Sequence, residues 1–278
     1  MKNVCFKTQK ATILNNTSVT GKADVYDDSF YQGQMENSYK GAKKYAELLG
    51  KYYIPKSLID IGCGRGTWLK AFKENGAEKL VGVDGAWNTQ QNMATDDIHF
   101  YPRDLNQPIS FPQHEKFDLA MSLEVAEHLE VASAITIVTS LTNFSDIVLF
   151  GAAYHEQGGT NHINEQPNTY WAKLFISLGY IPFDLFRPAF WGDDQIPFWY
   201  QQNTFLYIRK DSEAHIDFLA NGIIPISNIN IMDCIHPDLY SIKLKLLEDS
   251  KMDPGFRANA IKLTKSFVSA IKKRLRTK

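Results

Sequence analysis

A short apolar run, Leu58-Ile59-Asp60-Ile61, enters the turn Gly62-Cys63-Gly64-Arg65-Gly66 and leaves it as an amphipathic stretch with Trp68, Leu69 and Phe72 apolar. No other feature narrows the fold as much. Four apolar-run residues bounded by glycine read as a buried strand, and apolar spacings of three and four read as a helix. The glycines between them let the backbone turn sharply and approach a ligand with no Cβ in the way. The same rhythm continues downstream. Strands are expected over 80–83, 98–101, 117–121 and 146–150, and later around Tyr180 and over 203–208. Helices are expected over 38–50, 66–75, near 126–141 and over 167–178. Such alternation argues for an α/β fold whose largely parallel sheet is covered on both faces.

The 278 residues suffice for one large α/β domain with additions. We divide them into a polar lead-in over 1–36, a sheet domain over 37–210 and a helical C-terminal extension over 211–278, with helices expected over 235–250 and 256–278. The net charge of −1 weighs against nucleic acid as a partner. Residues 254–278 carry eight Lys or Arg and no Asp or Glu, a basic face for solvent, an anionic surface or a second subunit. Cys5, Cys63 and Cys234 are too few and too scattered for a disulfide framework or a metal-ligand spacing. The N-terminus has no basic segment followed by an apolar run, and no stretch approaches the roughly 18 apolar residues of a membrane span. The expectation is a cytoplasmic enzyme.

A dinucleotide fingerprint would space its glycines G-x-G-x-x-G. Here Gly66 comes one residue early, which disfavours NAD. Asp84 closes the second strand about 20 residues on, where a carboxylate can take both hydroxyls of a ribose. Asp104, after the third strand, stands where an adenine amino group would sit, with Leu105 beside it to pack on the ring. Asp60-x-Gly-x-Gly-x-Gly, Val83-Asp84-Gly85 and Phe117-Asp118-Leu119 resemble the ordered motifs of class I S-adenosylmethionine (SAM) dependent methyltransferases. The resemblance covers about residues 55–210. It implies a doubly wound, Rossmann-like sheet of seven strands, mostly parallel with the last antiparallel, and SAM as methyl donor. It further implies that Asp60, Gly62, Cys63, Gly64 and Gly66 contact the amino-acid part of SAM, that Asp84 and Gly85 hold the ribose and Asp104 with Leu105 the adenine, and that Ser122, Leu123 and Glu124 lie beside the methyl donor.

On the acceptor side, Glu124, Glu127 and His128 are spaced i, i+3, i+4 and would share one face if helical. His162, Asn164 and Glu165 follow the fifth strand. Both segments sit at strand C-termini, the edge where open α/β sheets bind ligands. Three readings stand side by side. Glu127 and His128 could form a hydrogen-bond network that shapes the pocket. His128 or His162, with Glu165, could take the proton of an acceptor hydroxyl. Or Glu124, Glu127, His128 and His162 could hold a divalent metal such as Mg²⁺ or Mn²⁺. Glu-x-x-Glu-His resembles the metal site of terminal-ribose methyltransferases acting on small RNAs and of some ubiquinone-pathway O-methyltransferases. The stretch Gly158 to Trp171, with Phe190-Trp191 and Phe198 to Asn203, resembles a bacterial methyltransferase subgroup associated with surface-polysaccharide gene sets. That implies a small-molecule or glycan acceptor and O-methylation in polysaccharide biosynthesis. Trp171, Trp191, Trp199 and Tyr200 could stack on sugar faces, and core packing explains each of them equally well. RNA ribose methylation and a non-catalytic partner subunit are the alternatives, and a homo-oligomer is compatible with either. Ser122-Leu123-Glu124-Val125 stands where many N-methyltransferases carry Asn/Asp-Pro-Pro-Tyr/Phe, which disfavours amino acceptors.

Overall fold

Seven strands join in one sheet in the order β3-β2-β1-β4-β5-β7-β6. They are β1 (Ser57–Ile61), β2 (Lys79–Asp84), β3 (Ile98–Pro102), β4 (Leu119–Leu123), β5 (Ile147–Gly151), β6 (Tyr180–Phe183) and β7 (Phe205–Arg209). The computed structural model describes residues 28–111, 115–252 and 255. β1 pairs in parallel with β2 and β4, β2 with β3, and β4 with β5. β7 runs antiparallel between β5 and β6. The expected doubly wound sheet with its last strand antiparallel is therefore present.

The inner strands are largely apolar because both faces are covered, whereas edge strand β3 is mostly exposed beyond Ile98. Leu58, Leu119, Met121, Ile147, Leu149, Leu206 and Ile208 face one core, with Tyr45, Leu49, Leu69, Phe72, Phe186 and Phe218. Ile59, Ala120, Val148, Phe150, Phe205 and Tyr207 face the other, with Ile137, Val138, Leu141, Trp171 and Phe175. This alternation is the period of two that a strand imposes on its side chains. Helices α1 (Asp28–Gly50) and α2 (Thr67–Glu74) supply the first cover, α3 (Ala134–Phe144) and α4 (Asn168–Ser177) the second. Three shorter helices and one long one complete the described chain: α5 (Arg187–Phe190), α6 (Phe198–Asn203), α7 (Glu213–Ala220) and α8 (Pro237–Met252).

Several expected boundaries move. The first helix begins at Asp28, so the end of the lead-in is helical. The fourth strand starts at Leu119, and the Asp118 carboxylate just before it accepts the backbone N–H groups of Lys56 and Ser57, at 2.7 and 2.9 Å. The helix expected near 126–141 begins at Ala134, preceded by two 3₁₀ turns, Ala126–His128 and Val131–Ser133. Glu124 has φ +56°, so Glu124, Glu127 and His128 do not share a helical face. Asn203 ends α6 instead of opening a strand. The expected helix over 256–278, its basic face and Cys5 lie outside the described residues.

Among the described residues no helix is long and apolar enough to cross a membrane. The end of α3 is tied to β6 by Tyr180, whose buried hydroxyl lies 3.0 Å from the Thr142 carbonyl and 2.6 Å from that of Ser145. Tyr180→Phe leaves both carbonyls without this donor in a buried place. It should lower the unfolding free energy by about 1–2 kcal/mol, read from urea midpoints, whereas an unchanged midpoint would show that the tie contributes nothing.

Candidate active site

The chain builds β1, β2 and β3 outward in one direction, then returns to place β4 on the other side of β1. Such a reversal opens a crevice at the strand C-termini. The turn after β1 is drawn toward β2, since Gly62 N–H and Cys63 N–H both donate to the Val83 carbonyl, at 2.7 and 3.1 Å. Gly62 has φ +88°, and a Cβ there would overlap the Val125 methyl groups just past β4. Only glycine meets both conditions.

Asp84 closes over this turn. Its carboxylate accepts from Gly64 N–H at 2.7 Å and from Gly85 N–H at 2.6 Å. Asn88, missed in the sequence, donates its side-chain N–H to the Gly64 carbonyl. Burial raises the Asp84 carboxyl above the usual carboxylate range, against the pull of the Gly85 and Gly64 amides and the Trp87 side chain. Asp60 is buried too, and burial together with the Asp84 charge raises it well above that range. Both carboxyls therefore hold a proton more tightly than an exposed aspartate does. Gly64 has open space where a Cβ would stand, so the turn leaves room above its backbone. Cys63 is buried. Asp104 is exposed and accepts from Asn106 N–H at 3.0 Å, and Leu105 is buried in the core beside it.

The two acceptor segments come together. Ile163 N–H and Asn164 N–H donate to the Glu127 carbonyl at 2.8 and 3.0 Å, and Asn164 Nδ2 donates to the Ala126 carbonyl at 3.2 Å. The His128 and His162 rings meet edge to face with centroids 4.8 Å apart. His162 Nδ1 lies 2.7 Å from Glu165 Oε1, which also accepts from Gly158 N–H at 2.7 Å. Because that carboxylate only accepts, we assign the proton to Nδ1 and leave the lone pair on Nε2. A Cβ at Gly159 would overlap the His162 ring, so glycine lets the loop close on it. Burial lowers the His128 pKa, and the neighbouring His162 lowers it further, so His128 is neutral at pH 7.

Donor atoms of Glu127, His128 and His162 lie within 4.8 Å of one another. That is slightly wider than the roughly 4.2 Å spanned by two ligands with 2.1 Å bonds on opposite sides of an ion. Glu127 Oε2 is buried with no hydrogen-bond partner among the described residues. Glu124 is outside this cluster, a correction to the four-residue set. Its carboxylate accepts from Gln157 Nε2 at 3.3 Å and from Asn203 Nδ2 at 3.1 Å, because the positive φ at Glu124 turns the side chain away. Gln157 was not singled out in the sequence, and Gln202 and Asn203 were named only within the segment Phe198 to Asn203, with no role of their own. Amides on unassigned loops and short helices carry no distinctive spacing. Of the aromatics that could stack on sugars or pack in the core, Trp171 and Tyr200 are buried in the two cores, whereas Trp191 is exposed.

Burial pushes the Glu124 carboxyl up to about 7, opposed by Asn203 and Gln157 and helped by the Glu165 charge. The folded chain then holds a proton that the unfolded chain, with its ordinary 4.5, has released. This contribution to stability is fully present below pH 4.5 and is lost as pH rises to about 7. Glu124→Gln should flatten that decline. Urea midpoints across this range test it, and parallel curves for the two proteins would refute it. Asp60 and Glu127 shift in the same direction, so the difference between the proteins is the quantity to read.

Residues 31–146 match the family model described as a methyltransferase domain. No curated protein matches the chain in sequence. Solved structures of similar fold include an O-methyltransferase family protein from Burkholderia thailandensis, at 11% identity over 68% of this chain and 61% of that one, with a TM-score of 0.49. Human N-acetylserotonin methyltransferase in complex with SAM shows 14% identity over 64% of this chain and 56% of its own, with a TM-score of 0.42. Magnesium protoporphyrin IX methyltransferase from Synechocystis PCC 6803, with bound SAM, shows 15% identity over 68% and 87%, with a TM-score of 0.46. The chain thus spans less than two thirds of the length of the first two. The match to a methyltransferase domain covers residues 31–146, the stretch that holds β1 to β4 and the glycine-rich turn after β1.

Proposed function

We propose that this chain methylates a hydroxyl of a sugar, nucleotide-sugar or surface glycan precursor, with SAM as donor and His162 as general base. The observation that carries the reading is the His162–Glu165 pair, 2.7 Å apart, set beside His128 past the C-terminal ends of β4 and β5. A hydroxyl is a poor nucleophile until its proton is taken, and a histidine oriented by a carboxylate is suited to take it. The sugar class rests on the resemblance of Gly158 to Trp171 and of the later aromatic segments to glycan-associated enzymes.

Asp60 and the turn from Gly62 to Gly66 would hold the amino-acid part of SAM, Asp84 and Gly85 the ribose, Asp104 and Leu105 the adenine, and Leu123 and Glu124 the region of the sulfonium. Bound there, SAM supplies an electrophilic methyl group. The chain's own work is to orient the acceptor oxygen and to receive its proton at His162 Nε2. Glu165 then stabilises the imidazolium through Nδ1–H.

A metal-assisted reading has one observation in its favour. Glu127 Oε2 is a buried, unpartnered oxygen next to two histidines, and a divalent cation would satisfy it. In that reading Glu127, His128 and His162 hold Mg²⁺ or Mn²⁺, which would acidify the hydroxyl.

Asp84→Ala removes the carboxylate proposed to take the ribose. It should raise the Kd for SAM roughly 10- to 100-fold by calorimetry, and equal affinity would sink the assignment. His162→Ala should lower kcat about 10²- to 10⁴-fold with the Kd for SAM little changed. S-adenosylhomocysteine production across nucleotide sugars and glycans supplies the assay. Full turnover in EDTA supports the protein base, whereas loss restored by Mg²⁺ or Mn²⁺ supports the metal. No turnover on any saccharide, with turnover on RNA ends, would replace the sugar acceptor by a ribose.

A further inference from the structure

A second cavity of about 540 Å³ opens beyond β6 and is lined in part by Asp184, Arg187, Trp191, Ile231, Asp233 and Cys234. Its size is that of a small-molecule site. Asp184 immediately follows β6, whose Phe183 pairs with Leu206, while Phe150 of β5 pairs with the adjacent Phe205. The cavity therefore lies on the same sheet edge as the acceptor segments. β6 is three strand spacings from β4 in the sheet, about 14 Å.

The polar groups define what the cavity can take. Arg187 is fully committed. Its Nε and Nη2 donate to Asp184 Oδ2 at 2.9 and 2.7 Å, and Nη1 and Nη2 also donate to the Ile231 carbonyl at 3.2 Å. Among the described lining residues no other cation is left to recognise a phosphate or carboxylate. Asp184 Oδ1, by contrast, is buried and has no donor among the described residues. A buried acceptor without a partner is costly, and a ligand O–H or N–H would satisfy it. Because Arg187 already balances the Asp184 charge, a neutral donor suits it better than an ammonium. The Asp233 oxygens are engaged by Thr169 N–H and Oγ1, at 3.0 and 2.7 Å, and keep further lone pairs. Trp191 and Ile231 supply apolar walls, 37% and 53% exposed. The negative face of an indole attracts the C–H groups of a ring. Hydroxyl donors with an apolar face describe a pyranose.

We infer that this cavity is a subsite for a neutral sugar ring, one belonging to the acceptor but distinct from the ring that is methylated. Only its membership in the acceptor rests on the proposed methyl transfer; the sugar site itself stands on the cavity. The distance to β4 is one that a short oligosaccharide can bridge.

Cys234 gives a test that needs no activity. It lines the cavity as a free, exposed thiol, and the other described cysteine, Cys63, is buried. The intact chain is alkylated with iodoacetamide and modification at Cys234 is followed by peptide mass spectrometry. Methyl glycosides of glucose, galactose, mannose, rhamnose and N-acetylglucosamine are the probes, with choline as the cationic control. At least one glycoside should slow alkylation several-fold. Trp191→Ala should abolish that protection while its thermal melt and SAM affinity match wild type. Protection by choline alone, or by none of the probes, overturns the proposal. In turnover, Trp191→Ala should raise the KM for oligosaccharides several-fold and leave kcat unchanged. Protection at Cys234 without turnover on any saccharide would keep the sugar subsite and reject the methyl acceptor.

Discussion

Two amides, Gly62 N–H and Cys63 N–H, donate to the single carbonyl of Val83, and the rest of the site follows from that sharing. It bends the chain leaving β1 toward β2. It brings Gly64 N–H onto the Asp84 carboxylate and seats Gly62 against Val125 beyond β4. Three strand ends are thereby locked around one crevice. A side chain at Gly62 would drive the β1 turn and the β4 exit apart, because φ and space both fail there.

A second constraint fastens the acceptor side to that frame. The Glu127 carbonyl takes two amides from the segment after β5, so the two histidines are placed by backbone hydrogen bonds and not by chance loop packing. From the same crevice a line of amides runs outward. Glu124 accepts from Asn203, the Asn203 carbonyl oxygen of the side chain accepts from Gln202 Nε2, and Gln202 Oε1 accepts from His236 N–H at 2.7 Å. His236 is buried against Trp191, with centroids 4.7 Å apart. The segment before α8 is thus joined by hydrogen bonds and ring contact to both the crevice and the cavity beyond β6.

The electrostatics share one sign. Asp60, Asp84, Glu124 and Glu127 all have raised pKa values, with burial as the first cause in each. Crowded carboxyls of this kind cannot all ionise together in a low dielectric.

The strands from β1 to β5 were legible because continuous apolar runs bounded by glycine or charged residues have few alternatives in a doubly covered sheet. Asp60, Gly62, Gly64, Gly66 and Asp84 were legible because strand ends and turns impose local geometry that few residues satisfy. The segment 122–133 was not. Glu124, Glu127 and His128 carry a helical spacing, but the positive φ at Glu124 and two 3₁₀ turns replaced the helix, and Glu124 left the histidines for Gln157 and Asn203. Trp171 and Trp191 are the same residue type in similar aromatic surroundings, yet one is buried beneath α4 and the other lines a cavity. By itself the sequence determined the sheet, its glycine turn and its acidic strand ends, since these depend on neighbours along the chain. Which histidine gained a carboxylate, which glutamate stayed unpartnered and which indole met solvent depended on residues dozens of positions apart, and only tertiary packing could decide that.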